Sequence, residues 1–257
     1  MVHDYLVFRK AHHVGTIVLN RGSKGNAVDT NMAQEFAALC AEVSRDENVR
    51  AVILTGAGHK AFCVGVDPTG IAEETSRRSQ TRLVSMANAV TELKMPVIAA
   101  INGDAVGLGL ELALACDLRI AVDTARFALD QVHMSAVPWD GATQRLPRIV
   151  GRAKAMEMLL TGRYVDAAEA SRVGLITRMF PGGQLMPAAI EMAVAIASKA
   201  PVAVRHAKEA VSKGLDMTLD QGLRLEADLY LLLHTTEDRT EGVTAFLEKR
   251  TPRFKGR

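Results

Sequence analysis

Two glycine-bearing segments hold the residues best able to do chemistry. The first is Thr55-Gly56-Ala57-Gly58, leading to Phe62-Cys63-Val64-Gly65-Val66-Asp67; the second runs from Asn102 and Gly103 through Gly107-Leu108-Gly109-Leu110 to Glu111. Each follows an apolar, β-rich run, and glycine lets backbone amides approach a ligand closely. The second enters a helical pattern, Leu110 to Cys116, so free N–H groups and the positive end of a helix face one place. Donors of that kind suit an oxygen on which negative charge develops. An ordinary tight strand-to-helix turn remains open for either segment taken alone. Neither carries the GxxxxGK(S/T) phosphate loop, nor GxGxxG with an acidic ribose partner downstream, which removes support for nucleotide binding.

The elements that must position these turns are legible. Strand patterns cover Tyr5 to Arg9, Gly15 to Asn20, Ala51 to Gly56, Val97 to Ile101 and Leu118 to Val122, and they alternate with helical patterns, which predicts an α/β layer structure. Met32, Phe36, Leu39, Cys40 and Val43 recur at helical spacing behind the capping candidates Asp29 and Thr30. From Leu185 onward the chain becomes a helical tail broken at Pro201 and at Lys213-Gly214, with an apolar stripe, Leu223, Ala227, Tyr230 and Leu231, that the main domain or another subunit must cover.

Composition narrows the classes. With 257 residues, 48% of them hydrophobic, the chain buries a large core without staples. Thirty-one Lys and Arg against 29 Asp and Glu leave a net charge of +2, so no whole-protein field points to nucleic acid or to an anionic membrane. The three cysteines, Cys40, Cys63 and Cys116, have neither CxxC nor metal-ligand spacing. Apolar runs are too short to span a bilayer and no signal pattern is evident, so a soluble, cytoplasmic protein is expected.

Seven motifs in order resemble the crotonase (enoyl-CoA hydratase/isomerase) superfamily: Leu19-Asn20-Arg21 with Asn26-Ala27; Phe62 to Asp67; Gly103 to Glu111 with Cys116-Asp117; Thr143 to Pro147; Val150-Gly151; Leu160-Thr161-Gly162; and Lys249 to Phe254. The resemblance implies an α/β, crotonase-like spiral of ββα repeats over residues 1–195, carrying the CoA and oxyanion-hole site. It also implies a C-terminal helical oligomerisation region over 196–257 that builds homotrimers or hexamers. The implied substrate is an acyl-CoA thioester, with no bound cofactor and no metal. Its oxygen would be held by the backbone N–H groups of Val66 and Leu108, although the family usually has glycine at the latter position. Lys24, Ala27, Lys60, Ala61 and Asp67 would lie along the CoA and substrate, with Phe254 contributing from a neighbouring subunit.

Two glutamates serve family hydratases as acid and base. One matches Glu111, whose plainer alternative is a surface glutamate favouring its helix dipole. The other matches Gln131, which cannot ionise. Nearby carboxylates are Asp130, which faces away from Gln131 if the stretch is extended, and Asp140, which either replaces the missing glutamate or caps the next helix. Trp139 either lines the acyl pocket, suiting a compact or ring-bearing group, or packs in the core. His133 is a weaker candidate. The resemblance therefore leaves hydration, double-bond isomerisation, decarboxylation and β-diketone hydrolysis open, beside a non-catalytic acyl-CoA-binding protein. The stretch from Pro68 to Met95 should shape the pocket.

Overall fold

The computed structural model describes residues 4–67 and 84–257; most of the stretch expected to shape the pocket, residues 68–83, lies outside them. Among the described residues, ten strands make two sheets, in the orders β1-β2-β3-β5-β7-β10 and β4-β6-β8-β9. β1 (Leu6–Ala11) and β2 (Val14–Leu19) form an antiparallel hairpin. The remaining neighbours in the large sheet, β2, β3 (Ala51–Gly56), β5 (Val97–Ile101), β7 (Leu118–Val122) and β10 (Arg178–Phe180), run parallel. β3 and β5 are buried along their whole length, which is why they read as continuous apolar runs rather than alternating ones.

Each central strand is followed by a short strand of the second sheet. β3 leads to β4 (Ala61–Cys63), β5 to β6 (Asp104–Val106) and β7 to β8 (Arg126–Ala128), with β9 (Val165–Asp166) closing the edge. A helix then completes each unit: α2 (Met86–Thr91), α3 (Leu108–Ala115) and α4 (Ala142–Val150). This is the expected spiral of ββα repeats. α1 (Thr30–Arg45) buries Met32, Phe36, Leu39, Cys40 and Val43, and the Asp29 side chain accepts from the Met32 N–H at 2.9 Å, as the spacing predicts.

After α5 (Arg152–Thr161) and α6 (Ala167–Arg172), α7 (Leu185–Ala197) lays Leu185, Ala189, Ala193 and Ala197 into the core and packs on β3 and β5. It spans the expected boundary at 195/196. The outer helices are α8 (Pro201–Gly214), α9 (Leu219–Leu233) and α10 (Glu237–Leu247). α9 packs on α8 but buries only Leu229, leaving Leu223, Tyr230 and Leu231 55%, 57% and 62% exposed. Among the described residues the main domain therefore leaves the apolar stripe uncovered. Among the described residues no single helix is long and apolar enough to cross a membrane.

Two asparagines tie together the loops at the carboxyl edge of the parallel strands. Asn26 accepts from the Arg21 N–H at 3.0 Å and donates to the Ala57 and Ala61 carbonyls at 3.1 and 2.9 Å. Asn102 accepts from the Gly56 N–H at 2.9 Å and donates to the Gly58 and Ala61 carbonyls at 3.0 and 3.1 Å. Both thereby substitute side-chain groups for missing ladder bonds where the strands end. Replacing the fully buried Asn26 by alanine leaves these groups unmet and is expected to cost about 2–3 kcal/mol of stability, read as a lowered urea midpoint with an unchanged slope.

Candidate functional site

The two glycine turns meet at that carboxyl edge. Val28 bridges the first in parallel fashion: its N–H donates to the Gly65 carbonyl and its carbonyl accepts from the Asp67 N–H, both at 2.8 Å. In a parallel ladder the intervening residue then points its own N–H the other way. Val66 is that residue. Leu108 is the first residue of α3, where an N–H has no partner within the helix. Among the described residues neither N–H is paired. The turns lie side by side: a Cβ added to Gly65 would sit 3.7 Å from the Leu108 nitrogen, and one added to Gly109 only 2.0 Å from the Cys63 carbonyl oxygen. Only glycine at 109 lets α3 start this close to β4. The leucine side chain at 108 is buried and leaves the backbone donor unaltered.

Glu111 lies one turn into α3 and is 1% exposed. Its Oε1 accepts from the backbone N–H groups of Asp140 at 2.8 Å and Ala142 at 3.1 Å, and its Oε2 accepts from Gln131 Nε2 at 3.1 Å. Burial pushes the carboxyl above its ordinary value, opposed by the two backbone donors, while the charge of Asp140 raises it further and that of Arg145 lowers it. A surface glutamate serving only the helix dipole does not fit this burial.

Gln131 opens a 3-10 turn, Gln131–Met134, rather than lying on an extended strand. Asp130 therefore does not face the opposite side: both its Oδ1 and Gln131 Nε2 border Gly107, 3.3 and 3.6 Å from where a Cβ there would be. Asp140 likewise departs from expectation. Its backbone serves Glu111, but its carboxylate is turned to the start of α2, where Oδ1 accepts from the Ser85 hydroxyl and Oδ2 from the Ala87 N–H at 3.0 Å. It caps α2, not the next helix; α4 is capped by Gly141 without a side-chain bond. Trp139, 43% exposed, is not a core residue. It lines a cleft of about 1060 Å³ with Ser85, Asp140, Arg145 and Lys208, whose lining does not include Glu111. His133 is exposed and places Nε2 3.2 Å from the Thr161 carbonyl.

The remaining candidates divide between two edges of the sheet. Lys24, Ala27, Lys60 and Ala61 follow β2 and β3 at the carboxyl edge. Ala27 and Ala61 are buried and present backbone to their neighbours: the Ala27 carbonyl accepts from Arg21 Nη1 at 2.7 Å. Lys60 is exposed, and Lys24, 54% exposed, reaches Asp67 at 3.2 Å. Asp67 itself is buried and also pairs with Arg21 Nη2 at 3.0 Å, so its carboxylate organises the loop rather than facing outward. Phe254 is elsewhere: its carbonyl accepts from Arg50 Nη2 at 3.0 Å, and Arg50 precedes β3. Within one chain Phe254 is therefore tied to the start of β3, whereas Ala61 follows its end. The buried Cys40, Cys63 and Cys116 are pushed by desolvation up to about 12, which removes them as nucleophiles. Among the described residues no group of three His, Cys, Asp or Glu side chains is arranged to hold a metal.

Comparison with known proteins places this geometry. The enoyl-CoA hydratase/isomerase family profile matches residues 9–257. The chain belongs to that family. YngF of Bacillus subtilis, which carries the enoyl-CoA hydratase/isomerase name, is 44% identical over 98% of this chain and 99% of its own length. The (E)-benzylidenesuccinyl-CoA hydratase of Thauera aromatica is 41% identical over 96% of this chain and 97% of its own. The crystal structure of enoyl-CoA hydratase from Bacillus anthracis superimposes with a TM-score of 0.94, at 42% identity, over 99% of this chain and all of that one. The protein is thus an enzyme of the hydratase/isomerase family, whose members act on acyl-CoA thioesters.

What sequence reasoning missed in this hydratase/isomerase site is the loop that holds Glu111. The Asp140 and Ala142 amides converge on one carboxylate oxygen because Asp140 is fixed at both ends, its side chain on α2 and its carbonyl by Arg145 Nη1 at 2.8 Å. Asp140-Gly141 is a turn signal, yet nothing in the sequence says where the amides point. Linkage fixes the sign of a test. A glutamate whose folded pKa is raised costs stability as pH rises from its ordinary value through the raised one. Glu111→Gln keeps an acceptor for both amides and lets the Gln131 amide turn to match. Its melting temperature should therefore exceed that of the wild type at neutral pH, with the difference shrinking as pH falls; a constant difference across pH would contradict the burial argument.

Proposed function

We propose that this enzyme adds water to enoyl-CoA thioesters, with the Val66 and Leu108 N–H groups receiving the thioester oxygen and Glu111 transferring the proton. One observation carries the reading: a buried carboxylate with a raised pKa stands one helical turn beyond the Leu108 N–H, which, like the Val66 N–H on the adjoining turn, has no partner among the described residues. Two backbone donors at a carbonyl oxygen stabilise the enolate that forms when a nucleophile adds at Cβ. A carboxylate shifted toward neutrality is matched to taking a proton from water and returning it to Cα.

The exposed Lys24 and Lys60 at the carboxyl edge suit the phosphates of CoA, and Trp139, next in the chain to the Asp140 amide that bonds Glu111, suits a ring-bearing or compact acyl group, a ring being part of the substrate named in the Thauera relative. The uncovered α9 stripe supports a homotrimer or a hexamer of paired trimers. In such an assembly Phe254, distant from the site of its own chain, would serve a neighbour. A soluble, cytoplasmic setting suits the composition.

Mass-spectrometric turnover of crotonyl-, cyclic enoyl- and aryl-substituted enoyl-CoAs tests the reading. An 18 Da gain is expected for wild type, falling about 10²–10⁴-fold in Glu111→Gln. A shifted double bond without mass change would make the enzyme an isomerase, and a 44 Da loss from a malonyl-type thioester would make it a decarboxylase. Activity abolished by Asp140→Asn but spared by Glu111→Gln would favour C–C hydrolysis. Tight CoA binding in calorimetry without turnover of any of these would mark a binding protein.

A further inference from the structure

The Gln131 amide is used at one end only. Its Nε2 donates to Glu111 Oε2 at 3.1 Å, while its Oε1 is buried and has no partner among the described residues. A buried acceptor left unmet is costly, and this one belongs to the amide that donates to the Glu111 carboxylate. We propose that Gln131 Oε1 accepts a hydrogen from the reacting water, or from the β-hydroxyl of the hydrated product, and that Glu111 alone titrates during turnover. The proposal rests on the hydratase reading above.

The chemistry balances with these two residues. Water has two hydrogens; with one given to Glu111 and the other to Gln131 Oε1, a lone pair is left free for Cβ. As the O–Cβ bond forms, the π pair moves onto the thioester to give the enolate, and Glu111 takes the first hydrogen as a proton. When the enolate collapses, Glu111 returns that proton to Cα, and the second hydrogen stays on the new hydroxyl, still facing Gln131. One water is consumed and Glu111 ends as it began.

An amide also simplifies the titration. A carboxylate 3.1 Å from Glu111 would couple to it and divide their pKa values, whereas the amide gives the ionised form a third N–H donor beside those of Asp140 and Ala142. The charged groups that face Glu111 are Asp140, engaged by Ser85 and Ala87, and Arg145, with Asp130 at the border of Gly107. Of the other elements packed on α3, β4 brings Cys63, pushed up to about 12, and β6 brings Asp104, paired with Arg126.

The test is kcat and KM across pH for wild type, Gln131→Met, Gln131→Glu and Glu111→Gln on an enoyl-CoA that the wild type hydrates. Wild type should show a single acid limb. Gln131→Met, losing both the water acceptor and a donor to Glu111, should lower kcat about ten-fold or more with KM little changed, and should move the limb to higher pH. Gln131→Glu, close to isosteric and so preserving the fold if the methionine variant does not, should also move the limb upward and add a second titration. A Gln131→Met enzyme within two-fold of wild-type kcat with an unmoved limb overturns the assignment, as does an unmoved limb in Gln131→Glu. Loss of activity in Glu111→Gln together with either result condemns the role of Gln131 alone. Retained activity in Glu111→Gln, or no hydration by wild type, removes the hydratase reading and this role with it.

Discussion

A carboxylate withdrawn from water either finds hydrogen-bond donors or takes up a proton. Glu111 is held at that balance. Burial favours its neutral form, and the Asp140 and Ala142 amides favour its charged one. Much of the surrounding structure follows from the need to deliver those two amides. The loop carrying them is anchored on one side by the Asp140 carboxylate at the start of α2 and on the other by Arg145 on the Asp140 carbonyl. The Asp140 carboxylate thus fastens the loop whose amides reach the Glu111 carboxylate.

The other half of the site depends on backbone rather than side chains. α3 begins against β4 because residue 109 has no side chain to meet the Cys63 carbonyl, and Val28 turns the Val66 N–H away from the sheet by bridging its two neighbours. Asn26 and Asn102 fix the loops beneath by bonding to the same carbonyl, that of Ala61. The parallel strands all end at this edge, and the donors, the buried carboxylate and the exposed lysines gather there because a doubly covered parallel sheet leaves its loops as the place for polar groups.

Charge follows the same local logic. A net charge of +2 steers nothing, yet Arg21, Lys24 and Asp67 form a compact group beside the first turn. The pairing of Arg21 with buried Asp67 also explains why that aspartate belongs to the loop and not to the surface. At the far edge, Arg50 and the buried Asp238 hold the end of the chain, Asp238 accepting from the Lys255 and Gly256 N–H groups at 2.6 and 2.8 Å.

The sequence by itself determined the strand runs, the capped α1, the two glycine turns and the family, because each rests on local pattern or on motifs whose residue types are fixed by backbone geometry. Strand limits at β3, β5 and β7 agree to the residue. Tertiary structure alone decided where side chains at the ends of loops point. It showed Asp130 and Gln131 together around Gly107 through a 3-10 turn that alternation cannot foresee. It turned the Asp140 carboxylate to α2, put Trp139 at a cleft instead of in the core, and set Phe254 at the opposite edge from the lysines. The physical reason is common to all four: their partners lie tens of residues away in the chain, and only the packing of the ββα units brings those partners into reach.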